Sequence, residues 1–288
     1  CLFKEKECNL FLNTTHMITF SNAKINIGLN IIGKRLDGYH NLETVFYPIP
    51  IEDPLEIHIT DKSDSTINLF TFGKKIEGDT STNLVVQAYE LLKKDFKLPS
   101  VNVYLYKNIP SGAGLGGGSS NASFTLKLLN EKLKLNLSTQ QLEDYAKQLG
   151  ADCPFFIQNK PVFAEGIGDL FTPIPLDLNG YKLVLIKPQL FISTKEAFQG
   201  IQPHQAENLL LDCIKLPIHK WKDYIFNDFE RPLFSSYPEL KDIKAYLYEY
   251  GAIYASVSGS GPSIYGIFDA EHPLPDLSAY TEHYTCNL

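Results

Sequence analysis

The densest run of glycine in the chain lies at residues 110–120, which read Pro-Ser-Gly-Ala-Gly-Leu-Gly-Gly-Gly-Ser-Ser. Alternating apolar residues at 101–105 predict a strand before this loop, and helically spaced apolar residues at 122–133 predict a helix after it. Glycine lets successive backbone N–H groups point at one anion, and the helix N-terminus adds partial positive charge. The loop therefore predicts a phosphate cradle between a strand and a helix.

Two common nucleotide-binding loops fit this stretch less well. Gly112, Gly114 and Gly117 satisfy the dinucleotide spacing G-x-G-x-x-G, but that interpretation also needs an acidic strand end about 20 residues later. The corresponding residues, 131–134, lie in or just after the predicted helix. A Walker A loop would close with Gly-Lys-Ser or Gly-Lys-Thr, which this loop lacks. A flexible surface turn is the remaining alternative, and such dense glycine between strand and helix favours a ligand contact over it.

Strand and helix patterns mix without strict alternation, which favours an α+β fold over a doubly wound parallel sheet. Alternation over 25–31 predicts a half-buried strand, and a capping box at 138–141 begins a helix that stops at Gly150. Residues 183–186 predict a buried strand, and residues 253–268 predict a hairpin around two glycines. Further predicted elements are strands at 55–59 and 101–105 and helices at 84–92, 122–133 and 240–250.

The chain of 288 residues is long for one core and suits two lobes. Glycine and proline concentrate at 165–180, which predicts a lobe boundary there. We divide the chain into a segment of unknown status at 1–16, an N-terminal lobe at 17–165 and a C-terminal lobe at 166–288. The first segment does not resemble a signal peptide, because its charged residues at 4–7 interrupt any apolar core.

Charge and cysteine content limit the classes of partner and compartment. The net charge of −7 disfavours a nucleic-acid surface. The five cysteines form no C-x-x-C pair and the histidines show no metal-ligand spacing, so neither disulfides nor a zinc site is expected. No apolar run reaches the roughly 18 residues of a membrane span. These features favour a cytoplasmic protein without nucleic-acid or membrane partners. They leave its oligomeric state, monomer or homodimer, open.

Three motifs resemble those of the GHMP kinase superfamily, and they occur in the family's order. Residues 23–26, Ala-Lys-Ile-Asn, resemble the first motif. Residues 110–122 resemble the second, Pro-x-x-x-Gly-Leu-Gly-Ser/Gly-Ser-Ser/Ala followed by Asn-Ala, and residues 258–263, Ser-Gly-Ser-Gly-Pro-Ser, resemble the third. Departures from the family pattern are Asn22, where proline is usual, and Ser111, where an apolar residue is common. Neither departure removes a chemically active group.

Other stretches resemble one branch of this superfamily, the kinases that act on a cytidine-diphosphate derivative of methylerythritol in non-mevalonate isoprenoid synthesis. These stretches are 34–42, 149–156, 164–168 and 227–230. The resemblance implies a two-lobed fold, with an ATP-binding lobe that contains a βαβ unit and a C-terminal substrate lobe. It also implies that ATP, with Mg²⁺, phosphorylates the 2-hydroxyl of the methylerythritol group, giving the 2-phosphate and ADP.

The same resemblance assigns roles to individual residues. Lys24 and Asp152 fall at the catalytic positions. The ATP-binding positions are Pro110, Ser111, Gly112, Ala113, Gly114, Leu115, Gly116, Gly117, Gly118, Ser119 and Ser120. The substrate-binding positions are Asn26, Tyr39, His40, Thr194 and Phe198. No protein side chain is assigned to the metal, which ATP would carry with Ser119 or Ser120 nearby.

Asp152 is expected to accept the proton of the acceptor hydroxyl. A free aspartate has a pKa of about 3.9, far below that of an alcohol, so it accepts the proton late, as the new P–O bond forms. Lys24 would stabilise the developing negative charge. Without the resemblance, a lone aspartate after a helix is more simply a local cap, and a lysine on an alternating strand is more simply solvated.

The aromatic residues suit a cytosine ring. Tyr39 and Phe198 are expected to stack on its two faces, with His40 at its edge, and Asn26 is expected to contact the polyol. The alternatives are an ordinary packed aromatic for Tyr39 and a strand-edge hydrogen bond for Asn26. Residues 227–230, Asn-Asp-Phe-Glu, receive no derivable role, and a helix-start cap explains them as well as a substrate contact does.

Three other functions stay open at this point. Another GHMP kinase would act on homoserine or a mevalonate-type acceptor, against which Asp-Gly-Tyr-His at 37–40 argues. A nucleotide-binding protein without activity would not need both Lys24 and Asp152. A nucleic-acid module could share the βαβ arrangement, but the charge of −7 and the complete glycine loop disfavour it.

Overall fold

A computed structural model describes residues 17–60, 64–205 and 208–288, so the segment 1–16 lies outside the described residues. The strands are β1 (Met17–Lys34), β2 (His40–Ile59), β3 (Ile67–Gly73), β4 (Val101–Lys107), β5 (Val162–Glu165), β6 (Leu170–Pro173), β7 (Tyr181–Ile186), β8 (Tyr254–Val257), β9 (Ile264–Asp269) and β10 (His283–Asn287). The α-helices are α1 (Leu84–Lys93), α2 (Gly117–Lys132), α3 (Thr139–Leu149), α4 (Phe155–Gln158), α5 (Thr194–Ala197), α6 (Leu210–Cys213), α7 (Trp221–Tyr224), α8 (Glu230–Ser236) and α9 (Pro238–Glu249).

The strands form two sheets. The first has the order β3-β4-β2-β5-β6 with β1 paired along β2, and the second has the order β10-β7-β9-β8. The paired strands are antiparallel except β3 and β4, which are parallel and joined through α1. This β3-α1-β4 crossover is the βαβ unit that the resemblance implied. The predicted α+β class is confirmed.

Local sequence signals set the ends of the helices that cover the first sheet. The side chain of Asn83 accepts a hydrogen bond from the backbone N–H of Val85 at 2.9 Å and so begins α1. The predicted capping box of Ser138 and Gln141 is present at the start of α3, and Gly150 follows its last turn. The apolar faces of α1, α2 and α3 pack with β2 and β4 into one core cluster.

Strand β1 is buried on both faces over residues 21–29, whereas its alternating pattern predicted a half-buried strand. One face packs into a core cluster that also contains residues of β7, β8 and β9 from the second sheet. The other face carries Lys24 and Asn26. It is covered by the glycine loop at 110–120 and by a second glycine-rich turn at 258–263. Local periodicity does not reveal this cover, because the covering segments are distant in sequence.

The first sheet continues past residue 165, the end that the sequence analysis gave to the N-terminal lobe. Strand β6 pairs with β5 and completes the first sheet, so the change of sheet lies between β6 and β7. Gly166 and Gly168, both with positive φ, lie in the β5–β6 connection rather than in a link between lobes. The boundary between the lobes itself stays a prediction.

Candidate active site

The glycine loop connects β4 to α2, as the sequence predicted. Gly112, Gly114 and Gly116 have φ values of +62°, +77° and +69°, a region that favours glycine. Helix α2 begins at Gly117, and its N-cap, Gly116, has no side chain to bond the N–H groups of the first turn. These donors and the positive end of a 16-residue helix can therefore bind an anion.

Close packing also disfavours a larger residue in place of Gly114 or Gly116. A Cβ on Gly114 would overlap the carbonyl oxygen of Ser258. A Cβ on Gly116 would come within 2.9 Å of the Phe156 ring and 3.2 Å of the Lys24 side chain. The loop thus lies against both β1 and the glycine-rich turn that contains Ser258.

Lys24 projects from β1 and is almost completely buried. Its Nζ lies 2.6 Å from Oδ1 of Asn26, 3.3 Å from the carbonyl oxygen of Gly114 and 3.5 Å from Oδ2 of Asp152. These three acceptors match the three protons of an ammonium group. The Phe46 ring centroid is 4.7 Å from Nζ. Burial lowers the pKa of Lys24, and the neighbouring Asp152 partly opposes that shift.

Asp152 lies on the bend that follows α3. The backbone N–H of Cys153 bonds to the carbonyl oxygen of Gly150 at 3.2 Å, which closes the bend. The Asp152 side chain is 33% exposed, whereas its partner Lys24 is only 4% exposed. The carboxylate is therefore accessible to a bound molecule, while the ammonium behind it is fixed.

A cavity of about 550 Å³ brings most of the predicted site residues together. Those that line it are Lys24, Asn26, Tyr39, His40, Gly112, Gly114, Gly116, Asp152, Thr194 and Phe198. Pro110, Ala113, Leu115, Gly117 and Ser120 are buried, and Ser119 is half-buried. Their individual roles in catalysis and binding stay predictions.

A second cavity of about 230 Å³ includes the remaining two residues of the loop, Ser111 and Gly118. It also includes Lys107 and Asn121, which the sequence did not assign to the site. One signal was available for Lys107. It continues the inward-facing positions of β4, where a charged residue needs a buried partner.

That buried partner is Asp53, which is completely shielded from solvent. Its carboxylate forms an ion pair with Lys107 and accepts the backbone N–H groups of Asn108 and Ile109, both at 2.7 Å. Nδ2 of Asn121 donates to the same carboxylate at 2.9 Å. One side chain of β2 therefore holds the end of β4 and the first turns of α2. Both ends of the glycine loop are fixed in this way.

The structure stacks His40, and not Tyr39, on Phe198. The His40 and Phe198 rings are 4.7 Å apart with an interplanar angle of 17°. Tyr39 lines the same cavity but is 62% exposed. Thr194 opens the short helix α5, which ends with Phe198 as its C-cap. A cytosine ring held between Tyr39 and Phe198 stays a prediction, and both residues line the cavity.

Within residues 17–60, 64–205 and 208–288, no group of three or more His, Cys, Asp or Glu side chains is placed to hold a metal ion. Over the same residues, no helix has the length and apolar character needed to span a bilayer.

Family profiles match both halves of the chain. The profile described as "GHMP kinases N terminal domain" matches residues 83–160, and "GHMP kinases C terminal" matches residues 214–285. A protein of Bacteroides fragilis named 4-diphosphocytidyl-2-C-methyl-D-erythritol kinase is 58% identical over 91% of this chain and 95% of its own length. The protein of the same name from Bacteroides thetaiotaomicron is 56% identical over 90% of this chain and 95% of its own length.

The chain belongs to the 4-diphosphocytidyl-2-C-methyl-D-erythritol kinase family of GHMP kinases. A crystal structure of 4-(cytidine 5'-diphospho)-2C-methyl-D-erythritol kinase matches with a TM-score of 0.77 and 28% identity, covering 93% of this chain and 98% of that one. The mevalonate kinase of Methanococcus jannaschii shares the fold, with a TM-score of 0.71 over 96% of this chain and 99% of that one, at 14% identity. The protein is therefore a small-molecule kinase, and ATP is its co-substrate.

Gly116→Val should weaken ATP binding by about 10-fold to 100-fold. Valine at the positive φ of Gly116 would strain the backbone by about 1–3 kcal/mol, and a loss of binding free energy of that size gives the expected weakening. The added side chain would also press on Phe156 and Lys24. Calorimetric titration with ATP measures the effect. Gly180→Val is the matched control, since Gly180 has a φ of +90° but no heavy atom within 4 Å of its added Cβ. Equal affinity in wild type and Gly116→Val would contradict the cradle.

Cys153 adjoins Asp152 in sequence but has the properties of a packing residue. It is completely buried, and burial raises the pKa of its thiol to about 11. A protonated thiol is a poor nucleophile, and transfer to an alcohol needs no enzyme-bound intermediate. Cys153→Ala should therefore lower the unfolding free energy by about 1 kcal/mol and leave turnover unchanged. Lost turnover at unchanged stability in urea unfolding would reverse this assignment.

Proposed function

We propose that the chain transfers the γ-phosphoryl group of ATP to the 2-hydroxyl of 4-diphosphocytidyl-2-C-methyl-D-erythritol, giving the 2-phosphate and ADP. One observation carries the proposal. A single cavity joins the glycine loop and the Lys24–Asp152 pair to the aromatic residues Tyr39, His40 and Phe198. A substrate with a cytidine diphosphate at one end and a reacting hydroxyl at the other suits this cavity. Its base would meet the aromatic residues, and its hydroxyl would meet Lys24 and Asp152.

The transfer step is an in-line displacement at the γ-phosphorus. The acceptor oxygen forms a bond to phosphorus as the bond between phosphorus and the β–γ bridging oxygen breaks, and ADP leaves. The acceptor proton passes to the accessible carboxylate of Asp152. Lys24 stabilises the negative charge that spreads over the transferring oxygens. Because Asn26, Gly114 and Asp152 already orient its Nζ, Lys24 needs little rearrangement during the step.

Mg²⁺ belongs to the proposal as an ion that arrives with ATP. Magnesium in phosphoryl-transfer sites usually keeps several waters and takes one or two protein oxygens besides the phosphates. The chain fits this modest demand. Asp152 is accessible, and the Ser120 hydroxyl is buried without a hydrogen-bond partner among the described residues, at the first turn of α2. When bound, the ion would neutralise phosphate charge, with Asp152 and Ser119 or Ser120 nearby.

ATP would extend across the glycine loop from one cavity to the other. Its phosphates would lie on the loop and the N-terminus of α2. The second cavity, beside Ser111 and Gly118, would then take the nucleoside part of the donor. Lys107 and Asn121 lie in that cavity and also hold the loop through Asp53. This arrangement separates the donor nucleoside from the cytidine of the acceptor.

Cytosine would bind between Tyr39 and Phe198 at the far end of the larger cavity. In the structure His40 covers one face of Phe198, so its ring would turn aside to meet the edge of the base. Base stacking contributes about 1–3 kcal/mol per base. Binding energy from this remote group can then position the reacting hydroxyl.

Tyr39→Ala should lower kcat/KM for the cytidine substrate by about 10-fold to 100-fold, by the stacking range above. ATP affinity should stay unchanged, because ATP is expected to bind the loop and the second cavity, which Tyr39 does not line. Tyr106→Ala is the matched control, since Tyr106 is 54% exposed and lines neither cavity. His40→Ala should also narrow the preference for cytidine over uridine analogues. An unaffected cytidine substrate, or an equal loss of ATP binding, would remove Tyr39 from the base site.

We propose that the protein is cytoplasmic and acts as a monomer or a homodimer. Cys153, Cys213 and Cys286 are free thiols, which suits a reducing cytoplasm. The net charge of −7 supports a small-molecule rather than a nucleic-acid partner. The residues that line the larger cavity come from one chain, so a monomer suffices for the proposed reaction and a homodimer would be compatible with it.

A coupled ADP-release assay tests the acceptor. Wild-type protein with ATP and Mg²⁺ should release ADP rapidly with the cytidine-diphosphate substrate and negligibly with homoserine or mevalonate. Homoserine and mevalonate test the alternative acceptors of the superfamily. Faster release with either of them would replace the proposed substrate.

A further inference from the structure

Residues 227–230, Asn-Asp-Phe-Glu, have no assigned part in the reaction, yet they contact two residues that line the larger cavity, Gly259 and Phe198. Asn227, Phe229 and Glu230 are buried, and Asp228 is half-buried. The stretch lies along β1 and bonds to it at Leu29. The N–H of Leu29 donates to the carbonyl oxygen of Phe226, and the carbonyl oxygen of Leu29 accepts from the N–H of Asp228. It therefore lies beside the strand that carries Lys24.

Asn227 holds the second glycine-rich turn. Its Nδ2 donates to the carbonyl oxygens of Val257 and Gly259, both at 2.9 Å, and these two residues flank Ser258. Its Oδ1 accepts the backbone N–H of Phe229 at 3.0 Å. One amide side chain, only 3% exposed, thus uses both its donors and its acceptor to fix the backbone around Ser258.

Ser258 connects this turn to the phosphate cradle. Its hydroxyl donates to the carbonyl oxygen of Gly114 at 2.9 Å, and the same oxygen accepts from Lys24 at 3.3 Å. A Cβ on Gly114 would overlap Ser258, so the two turns are in direct contact. A shift of the Ser258 turn would therefore move the partner of Lys24 and the cradle itself.

Phe229 supports the opposite end of the cavity. Its ring packs edge-on against Phe198, with centroids 4.9 Å apart and an interplanar angle of 87°. Phe198 in turn stacks on His40. Phe229 is 2% exposed, so it can buttress Phe198 from the core side without being displaced by solvent.

Glu230 anchors the stretch at its other end. Its carboxylate accepts from the backbone N–H of Val257 and the hydroxyl of Ser256, both at 3.1 Å, and pairs with Lys244. These contacts connect the stretch to β8 and to α9, away from the cavity. They keep Asn227 and Phe229 in register with the two groups that they support.

We propose that residues 227–230 are a positioning segment that aligns the two substrates. Asn227 sets the donor side through Ser258 and Gly114, and Phe229 sets the acceptor side through Phe198. The inference rests on the proposed function for the identity of the acceptor. Neither residue touches the reacting atoms. Their effect comes through geometry, in which an error of about 1 Å can cost about 100-fold in rate.

The test separates the donor side from the acceptor side. Asn227→Asp keeps the shape of the side chain but places a carboxylate oxygen against two carbonyl oxygens. It should weaken binding of a fluorescent ATP analogue and lower kcat, each by about 10-fold to 100-fold, without raising KM for the cytidine substrate. Ser258→Ala, a milder change, should move the same two quantities in the same direction. Phe229→Leu should instead raise KM for the cytidine substrate and leave ATP-analogue binding unchanged.

Ile243→Val is the control, since Ile243 belongs to the same core cluster as Phe229 but lines neither cavity. It should lower the midpoint of urea unfolding without changing either affinity. Asn227→Asp and Phe229→Leu variants that lose both affinities together, in proportion to their lost stability, would overturn the proposal. The analogue-binding measurement needs no acceptor. A wild type inactive on the cytidine substrate would therefore refute the proposed function, while a selective loss of analogue binding in Asn227→Asp would still support the donor-side assignment.

Discussion

Asp152→Asn is expected to lower turnover by about 10²-fold to 10⁴-fold, the usual contribution of a general base. The amide has nearly the same shape but cannot accept the proton of the acceptor hydroxyl. ATP affinity should stay close to that of wild type, because the glycine loop and α2 bind the phosphates. Single-turnover rates with saturating ATP, compared with calorimetric ATP affinities, measure the two effects separately.

Asp144→Asn is the matched control, because Asp144 is an exposed aspartate on α3, the helix that ends just before Asp152. This control should leave turnover unchanged. Turnover of Asp152→Asn at the wild-type level would exclude Asp152 as the base. A parallel loss of ATP affinity would instead assign it to nucleotide binding.

The pH dependence of the residual activity gives a second test of the same pair. Burial lowers the pKa of Lys24, and Asp152 partly opposes the shift. Removing the carboxylate removes that opposition, so the pKa of Lys24 should fall further. The ammonium would then lose its proton at lower pH. The alkaline fall in residual turnover of Asp152→Asn should accordingly begin at lower pH than in wild type.

Asp53→Ala is expected to lower the unfolding free energy by about 3–5 kcal/mol, because it leaves a buried charge without its partner. Lys107, itself 3% exposed, would lose its ion pair, and the N–H groups of Asn108 and Ile109 would lose their acceptor. Because these groups hold both ends of the glycine loop, ATP affinity should fall as well. Urea unfolding and ATP titration measure the two consequences.

Glu52→Ala is the matched control for this change, since Glu52 is a half-buried neighbour on the same strand. Adding Lys107→Met to Asp53→Ala should recover part of the stability, because a buried apolar residue needs no counter-charge. A stability loss below about 1 kcal/mol in Asp53→Ala would show that the network contributes little.

Local signals predicted much of the secondary structure. The capping box at 138–141 and the stop at Gly150 set the ends of α3 as predicted, because caps depend on residues three or four positions apart. The glycine loop also follows from local chemistry, since positive φ at Gly112, Gly114 and Gly116 needs glycine. In these cases the residues that determine the structure are neighbours in sequence.

Contacts between distant segments were harder to predict. The partner of Lys107 is 54 positions away in the chain, and alternation on β4 indicates only that a buried partner must exist. The cover over Asn26 comes from the turn at 258–263, which lies more than 200 residues later. Periodicity describes one element at a time, so it cannot identify which segment packs on its other face.

Side-chain conformation set a further limit in the aromatic cluster. The family resemblance assigned Tyr39, His40 and Phe198 to one substrate site, and all three line the same cavity. Which ring stacks on Phe198 depends on side-chain rotamers, which the sequence does not specify. The role of residues 227–230 was equally inaccessible. The side chain of Asn227 donates to the backbone carbonyl groups of Val257 and Gly259. Every residue has a backbone carbonyl group, so the sequence does not indicate which ones accept these hydrogen bonds.

The position of the transferred phosphate shows whether the larger cavity aligns ATP with the 2-hydroxyl of the acceptor. Wild-type protein, ATP, Mg²⁺ and the cytidine-diphosphate substrate should give one product, and ³¹P and ¹³C NMR should show a single new phosphomonoester on the oxygen of carbon 2 of the methylerythritol group. ADP should form in equal amount. ADP without a phosphomonoester, or a phosphomonoester on any other hydroxyl, would contradict the account of how this cavity aligns its two substrates.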